Sequence, residues 1–137
     1  MTDVREALRS VPLFSALTNE RLDKVAGLVE EVHHPPGHVI VQEGLPAHGF
    51  HLLIDGQVDV SSGGHPRRTL GPGSFFGELA LIDEGKRSAS VTASSPITVL
   101  VIEGTRFREL LHDDPETAFQ LLVYLAGLVR SAEQRGG

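Results

Sequence analysis

The chain has 137 residues and a formal net charge of −6, enough length for one domain that buries about two thirds of its unfolded surface. That charge excludes a broad basic face for nucleic acid or an anionic membrane, since such binding rests on many Lys and Arg meeting phosphates. No cysteine is present, which excludes disulfides, thiolate metal sites and cysteine nucleophiles and fits a cytoplasmic protein.

The opening Met1-Thr2-Asp3-Val4-Arg5-Glu6 is polar, without the apolar run of a secretory signal. An amphipathic start over 4–10 leads to Pro12, and Thr18 is placed to cap a helix with Leu22, Val25, Ala26 and Val29 on one face. Residues 1–34 are therefore expected to be a helical segment. From Pro35 to Ile102 short β-prone runs alternate with Gly and Pro, as at Pro35-Pro36-Gly37, Gly56, Gly63-Gly64 and Gly71-Pro72-Gly73. Val58 and Val60 alternate with polar partners, as do Ala89, Val91 and Ala93, giving strands with one face inward. Residues 35–103 are expected to form a β roll. Arg67-Arg68, beside the Gly63-Gly64-His65-Pro66 turn, are read as decorating a solvated hairpin. Residues 104–137 form a C-terminal helix pair: Thr105 caps a short helix through Leu111, and Asp114-Pro115-Glu116 opens a longer one running toward Arg135. No internal repeat separates these segments, so all three are assigned to one domain.

The stretch 76–89 carries the chemistry. Phe76-Gly77-Glu78-Leu79-Ala80-Leu81 is closed by Lys86-Arg87-Ser88-Ala89. Gly77 lets the backbone turn sharply and approach a ligand without a Cβ in the way. Leu79 and Ala80 fall in the first turn of a helix, where unpaired amides favour an anion. Arg87 adds a permanently charged fork for two phosphate oxygens, and Ser88 a hydroxyl and an amide beside it. Glu78 repels phosphate, so in the same pocket it accepts hydrogen bonds from neutral donors such as sugar hydroxyls. The combination fits a ligand with phosphate on one edge and ribose on the other. Gly85-Lys86-Arg87-Ser88 fails as a nucleoside triphosphate loop, because Ala80 stands at the first glycine and Arg87 at the hydroxyl. No Gly-x-Ser-x-Gly elbow supports a catalytic serine.

These residues in this order resemble the phosphate-binding cassette of the cyclic nucleotide-binding domain family, which includes the catabolite gene activator, the regulatory subunits of cyclic-AMP-dependent kinase and the cyclic-nucleotide-gated channels. The likeness extends over about residues 11 to 134. Leu13-Phe14-Ser15-Ala16-Leu17 resembles the opening segment, Gly37-His38-Val39-Ile40-Val41-Gln42-Glu43-Gly44 the first β pair, Asp55-Gly56-Gln57-Val58 the hairpin, and Leu70-Gly71-Pro72-Gly73-Ser74-Phe75 the approach to the cassette. Lys86 departs from the proline that many members place before the arginine. The resemblance implies a mainly β fold, a jelly-roll-like double-stranded β-helix with flanking helices. It also implies a regulatory rather than enzymatic role and a 3′,5′-cyclic purine nucleotide ligand, cyclic AMP ahead of cyclic GMP, with no cofactor. Glu78 would meet the ribose 2′-hydroxyl and Arg87 the exocyclic phosphate oxygens. Ser88 with the amides of Leu79 and Ala80 would take the rest of the cyclic phosphate, with Gly77 turning the chain.

Two other readings stand beside this one. A degenerate domain would pair Glu78 with Arg87 on a loop and act only as a protein-interaction scaffold. A cupin-type metalloenzyme is suggested by seven histidines, three of them in His33-His34-Pro35-Pro36-Gly37-His38, yet no His-x-His pair occurs and adjacent strand histidines point to opposite faces. The last helix, over 115–130, is apolar nearly all round, where a helix packed on one side shows a single stripe. Its second face is expected to form a helix-to-helix homodimer and to relay occupancy to an effector protein or domain.

Overall fold

The computed structural model describes residues 3–46, 48–83 and 85–136, the side chain of Leu79 excepted. Met1, Thr2, Ala47, Glu84 and Gly137, some of which fall within the expected segments 1–34, 76–89 and 104–137, lie outside the described residues. The chain divides into two compact units, 1–27 with 108–137, and 28–107.

In the helical unit α1 (Val4–Arg9), α2 (Pro12–Ser15) and α3 (Asn19–Ala26) are followed, much later in the chain, by the end of α4 (Gly104–Asp113) and by α5 (Pro115–Gly136). Thr18 caps α3 as expected, its hydroxyl accepting from the Arg21 amide at 3.3 Å. That helix stops at Gly27 rather than running to Val29. Leu8, Phe14, Leu22 and Val25 are fully buried, and Leu121 of α5 nearly so. Burying each such side chain is worth about 1.5–3 kcal/mol. Asp114 begins α5, accepting from the Thr117 hydroxyl at 2.7 Å and lying 3.5 Å from Lys24 and 3.6 Å from Arg21. Thr117's hydrogen bond first, then the two cations, hold the Asp114 carboxyl below its usual range.

The β unit is two four-stranded antiparallel sheets. One has the order β1 (Glu30–His34), β8 (Ile97–Glu103), β3 (Gly49–Asp55), β6 (Phe75–Phe76). The other runs β2 (Val39–Val41), β7 (Ser90–Ala93), β4 (Val58–Ser62), β5 (His65–Leu70). Leu53, Ile97 and Val99 from the first sheet meet Val41, Val58, Val91 and Ala93 from the second in one apolar cluster. Strand alternation sends every second side chain to this interior, which is the expected β roll. Gly63 (φ 60°) and Gly64 (φ 78°) form the two-residue turn that closes β4 on β5, a conformation that suits the twist of paired strands and that glycine adopts freely.

The first strand starts earlier than expected. Glu30 to His34 pair with β8 from Val101 to Ile97, inside the segment read as helical. Only Val32 of this edge strand packs toward the apolar cluster, so Glu30-Glu31-Val32-His33-His34 shows none of the alternation that marks a half-buried strand.

Candidate ligand site

The short β6 strand puts Phe75 and Phe76 opposite Leu52 and His51 of β3, and the chain then turns at Gly77 with φ 83°. A Cβ at this position would meet the Gly49 carbonyl oxygen and lie 2.6 Å from Arg87 Nη1. The turn is therefore reserved for glycine twice, by its backbone angle and by the groups packed against it.

Beyond Gly77 the chain makes a single 3-10 turn, Leu79–Leu81, where the first turn of a longer helix was expected. The Ala80 amide donates to the Gly77 carbonyl at 3.0 Å and that of Leu81 to Glu78 at 3.3 Å. So short a turn has no appreciable macrodipole, and the positive character of the loop rests on Arg87 and Lys86.

Arg87 is fixed at both its backbone and its side chain. Its N–H donates to the Leu45 carbonyl and its carbonyl accepts from the Gly44 amide, both at 2.9 Å, and Lys86 beside it bridges to Pro46. Nη2 donates to the Gly49 carbonyl at 2.8 Å. Burial lowers the guanidinium pKa, but arginine holds its proton so strongly that the group remains a cation at neutral pH. Glu78 is partly buried, and its Oε2 is enclosed with no hydrogen-bond partner. That burial pushes its carboxyl pKa up. Among the described residues no ion pair joins Glu78 to Arg87, so the loop is not held by neutralisation of one by the other.

Gly77, Glu78, Ala80, Arg87 and Ser88 line one cavity of about 510 Å³, within the roughly 300–1,000 Å³ usual for small-ligand pockets. Leu79 contributes its backbone to the same turn. Asp83 and Lys86 stand in the same wall, Lys86 as a second, exposed cation. The arrangement offers a fixed fork for an anion and, beside it, an unsatisfied carboxylate for a hydroxyl.

Sequence reasoning passed over His51. It stacks on Phe76 with ring centroids 5.0 Å apart and planes at 11°, and its Nδ1 is buried without a partner. Burial, then the Arg87 charge and then His34 lower its pKa to about 4, so at neutral pH it is an uncharged ring beside Arg87. Its strand position gave a signal: His51 lies two residues before Leu53, which is in the interior cluster, and so shares its face.

The other histidines do not form a centre. His34 stacks on His38 with centroids 4.0 Å apart, and His33 Nδ1 lies 2.9 Å from the Thr98 hydroxyl. Among the described residues no three His, Cys, Asp or Glu side chains converge, and no helix is long and apolar enough to cross a membrane.

The cyclic nucleotide-binding domain family matches residues 31–114. The cAMP-dependent protein kinase regulatory subunit of Colletotrichum orbiculare is 37% identical over 106 residues, 76% of this chain and 27% of that protein. The cGMP-dependent protein kinase, isozyme 1, of Drosophila melanogaster is 37% identical over 114 residues, 77% of this chain and 15% of that one. The chain thus spans about a quarter or less of the length of these curated relatives. Among solved structures, the N-terminal domain of a transcriptional regulator from Streptomyces coelicolor A3(2) superposes with a TM-score of 0.85 at 28% identity, covering 96% of this chain and 95% of that one. A putative cyclic nucleotide-binding protein from Geobacter metallireducens GS-15 gives 0.73 at 30% identity, covering 96% and 98%.

Proposed function

The chain belongs to the cyclic nucleotide-binding domain family, and we propose that its cassette cavity binds a 3′,5′-cyclic purine nucleotide as a regulatory signal, without catalysing a reaction, in the cytoplasm. The observation that carries this reading is the enclosed, unpartnered Glu78 Oε2 in the same cavity as the Arg87 fork. A buried acceptor without a donor is costly, and a ribose 2′-hydroxyl supplies the donor while the cyclic phosphate meets Arg87 and Ser88. Cyclic AMP and cyclic GMP satisfy both contacts equally, since they differ only at the base.

Calorimetric titration is expected to show binding of cyclic purine nucleotide to the parent chain. Glu78→Gln should weaken it by about 10- to 150-fold, the scale of one hydrogen bond to a charged group, and should hardly change affinity for the 2′-deoxy analogue. Equal losses for both ligands would remove the 2′-hydroxyl from the assignment.

The output is assigned to α5, which follows the β roll in the chain through α4. Thr117 and Leu121 of α5 are buried, whereas Phe119, Leu122, Val123 and Val129 are exposed, Leu122 by 62%. The spacing of 119, 122 and 123 makes this one stripe on a helix surface, and a second copy of the chain is the partner proposed for it, with an effector protein responding to the pair. The seam is placed on the exposed stripe, because Leu121 already serves its own unit. Leu122→Glu with Val123→Glu is expected to sediment as a monomer, and ligand is expected to change amide exchange in α5 by the equivalent of about 1–3 kcal/mol. An unchanged sedimentation coefficient together with unchanged exchange would leave α5 as an ordinary surface helix.

A further inference from the structure

We propose that a second cavity on the β2 and β3 side of Arg87 binds a small monocarboxylate, and that its occupant opposes the cyclic nucleotide by drawing on the same guanidinium. The site stands on its own residues, whereas the opposition rests on the ligand class proposed above. Arg87 lines two spaces. One is the cassette cavity, which also holds Glu78 and Asp83. The other, of about 310 Å³, is formed by β2, the start of β3 and the segment that joins them, and lies at the small end of the usual range for ligand pockets. No carboxylate lines it among the described residues.

Its two kinds of wall match a small organic acid. Arg87 is half-buried and enters no ion pair among the described residues. The side-chain hydrogen bond it makes goes to the carbonyl of Gly49, which lines this cavity. A guanidinium carries more N–H donors than that carbonyl and one phosphate use, so the cation can also serve an acceptor on this side. His51 supplies the other buried polar group. Neither of its ring nitrogens is hydrogen-bonded among the described residues, and a neutral imidazole keeps one N–H to donate. Ile40, Val41, Leu45 and Pro46 make much of the remaining wall apolar.

Donors without a carboxylate call for an anion, and the hydrocarbon around them selects which. A planar carboxylate matches the guanidinium fork with two parallel bonds and brings a tail for the aliphatic wall. A phosphate would bury more charge against Ile40 and Val41, and no second arginine or lysine lines the space among the described residues, so its desolvation would not be repaid. Lys86 lines the cassette cavity and not this one. With both spaces filled, two anions share one cation and repel each other. The resulting loss of affinity is reciprocal.

The test uses the whole chain, with benzoate as the probe and benzamide as its uncharged counterpart. Benzoate is expected to bind and to shift the amide resonances of Gln42, Gly49 and His51 while leaving those of Glu78 and Ala80, and benzamide is expected not to bind. His51→Phe, which keeps a ring to stack on Phe76 but has no N–H, should weaken benzoate by about 10- to 150-fold. Gln42→Glu adds a carboxylate to the wall at an exposed position, where folding is not at risk, and should weaken benzoate by about 5-fold. Saturating benzoate should weaken cyclic AMP by about 5-fold or more, the lower end of the usual coupling. Shifts centred on Glu78 and Ala80 would put benzoate in the cassette and overturn the site, as would equal binding of benzamide or the parent's benzoate affinity in either folded variant. Cyclic AMP affinity untouched by bound benzoate overturns the opposition. A chain that binds benzoate here but no cyclic nucleotide upholds the site and overturns the ligand class of the cassette, and the opposition with it.

Discussion

Arg87→Leu is expected to weaken cyclic nucleotide binding by about 2–5 kcal/mol, the cost of truncating one partner of a charge-assisted, partly desolvated pair. The side chain is half-buried and already oriented, with Nη2 on the Gly49 carbonyl at 2.8 Å, so little ordering remains when a phosphate arrives. Removing it also takes a donor from Gly49, and a fall of about 1–3 kcal/mol in folding stability is expected alongside. The two effects separate in a comparison with Arg87→Lys, which keeps the charge and loses the fork. Lysine should recover part of the affinity. Calorimetry on all three proteins, after thermal melts confirm that each is folded, checks this, and wild-type affinity in a folded leucine variant would put the phosphate elsewhere.

Gly77→Ala is expected to be nearly as damaging, although glycine offers the ligand no side chain. An L residue at φ 83° costs about 1–2 kcal/mol in backbone strain. The added methyl would also meet the Gly49 carbonyl and Arg87 Nη1, displacing the guanidinium from its seat. Gly77→Asn distinguishes the two causes, since asparagine tolerates positive φ but carries the same Cβ. If close approach dominates, both variants lose binding and melt earlier. Full recovery in the asparagine variant would show that the backbone angle alone matters.

The grouping of the expected site residues was legible in the sequence because they follow one another closely along the chain: a glycine able to turn it, a carboxylate beside it and, nine positions on, an arginine. Such a loop reads in order along the chain, and Gly77, Glu78, Ala80, Arg87 and Ser88 do line one cavity. The β roll was legible for a related reason, since Val58 and Val60, or Val91 and Ala93, alternate toward the interior. What escaped depends on register. His51 looks like a polar interruption until Phe76 is placed across the strand. β1 escaped because an edge strand with one inward residue has no period to detect. The apolar character of α5 was visible, but its division into a buried Leu121 and an exposed Leu122 follows from what packs on it, which composition does not encode.

β5 ends the second sheet, so one row of its peptide groups faces away from β4. Rows of that kind recruit foreign strands and seed fibrils or swapped hairpins. Here the rim is made poor at recruiting: Pro66 has no N–H to offer, and His65, Arg67 and Arg68 give it bulk and charge. The edge strand is thereby kept from zipping onto a neighbour, and a polymerised sheet is disfavoured by the same few residues that make its rim irregular and charged.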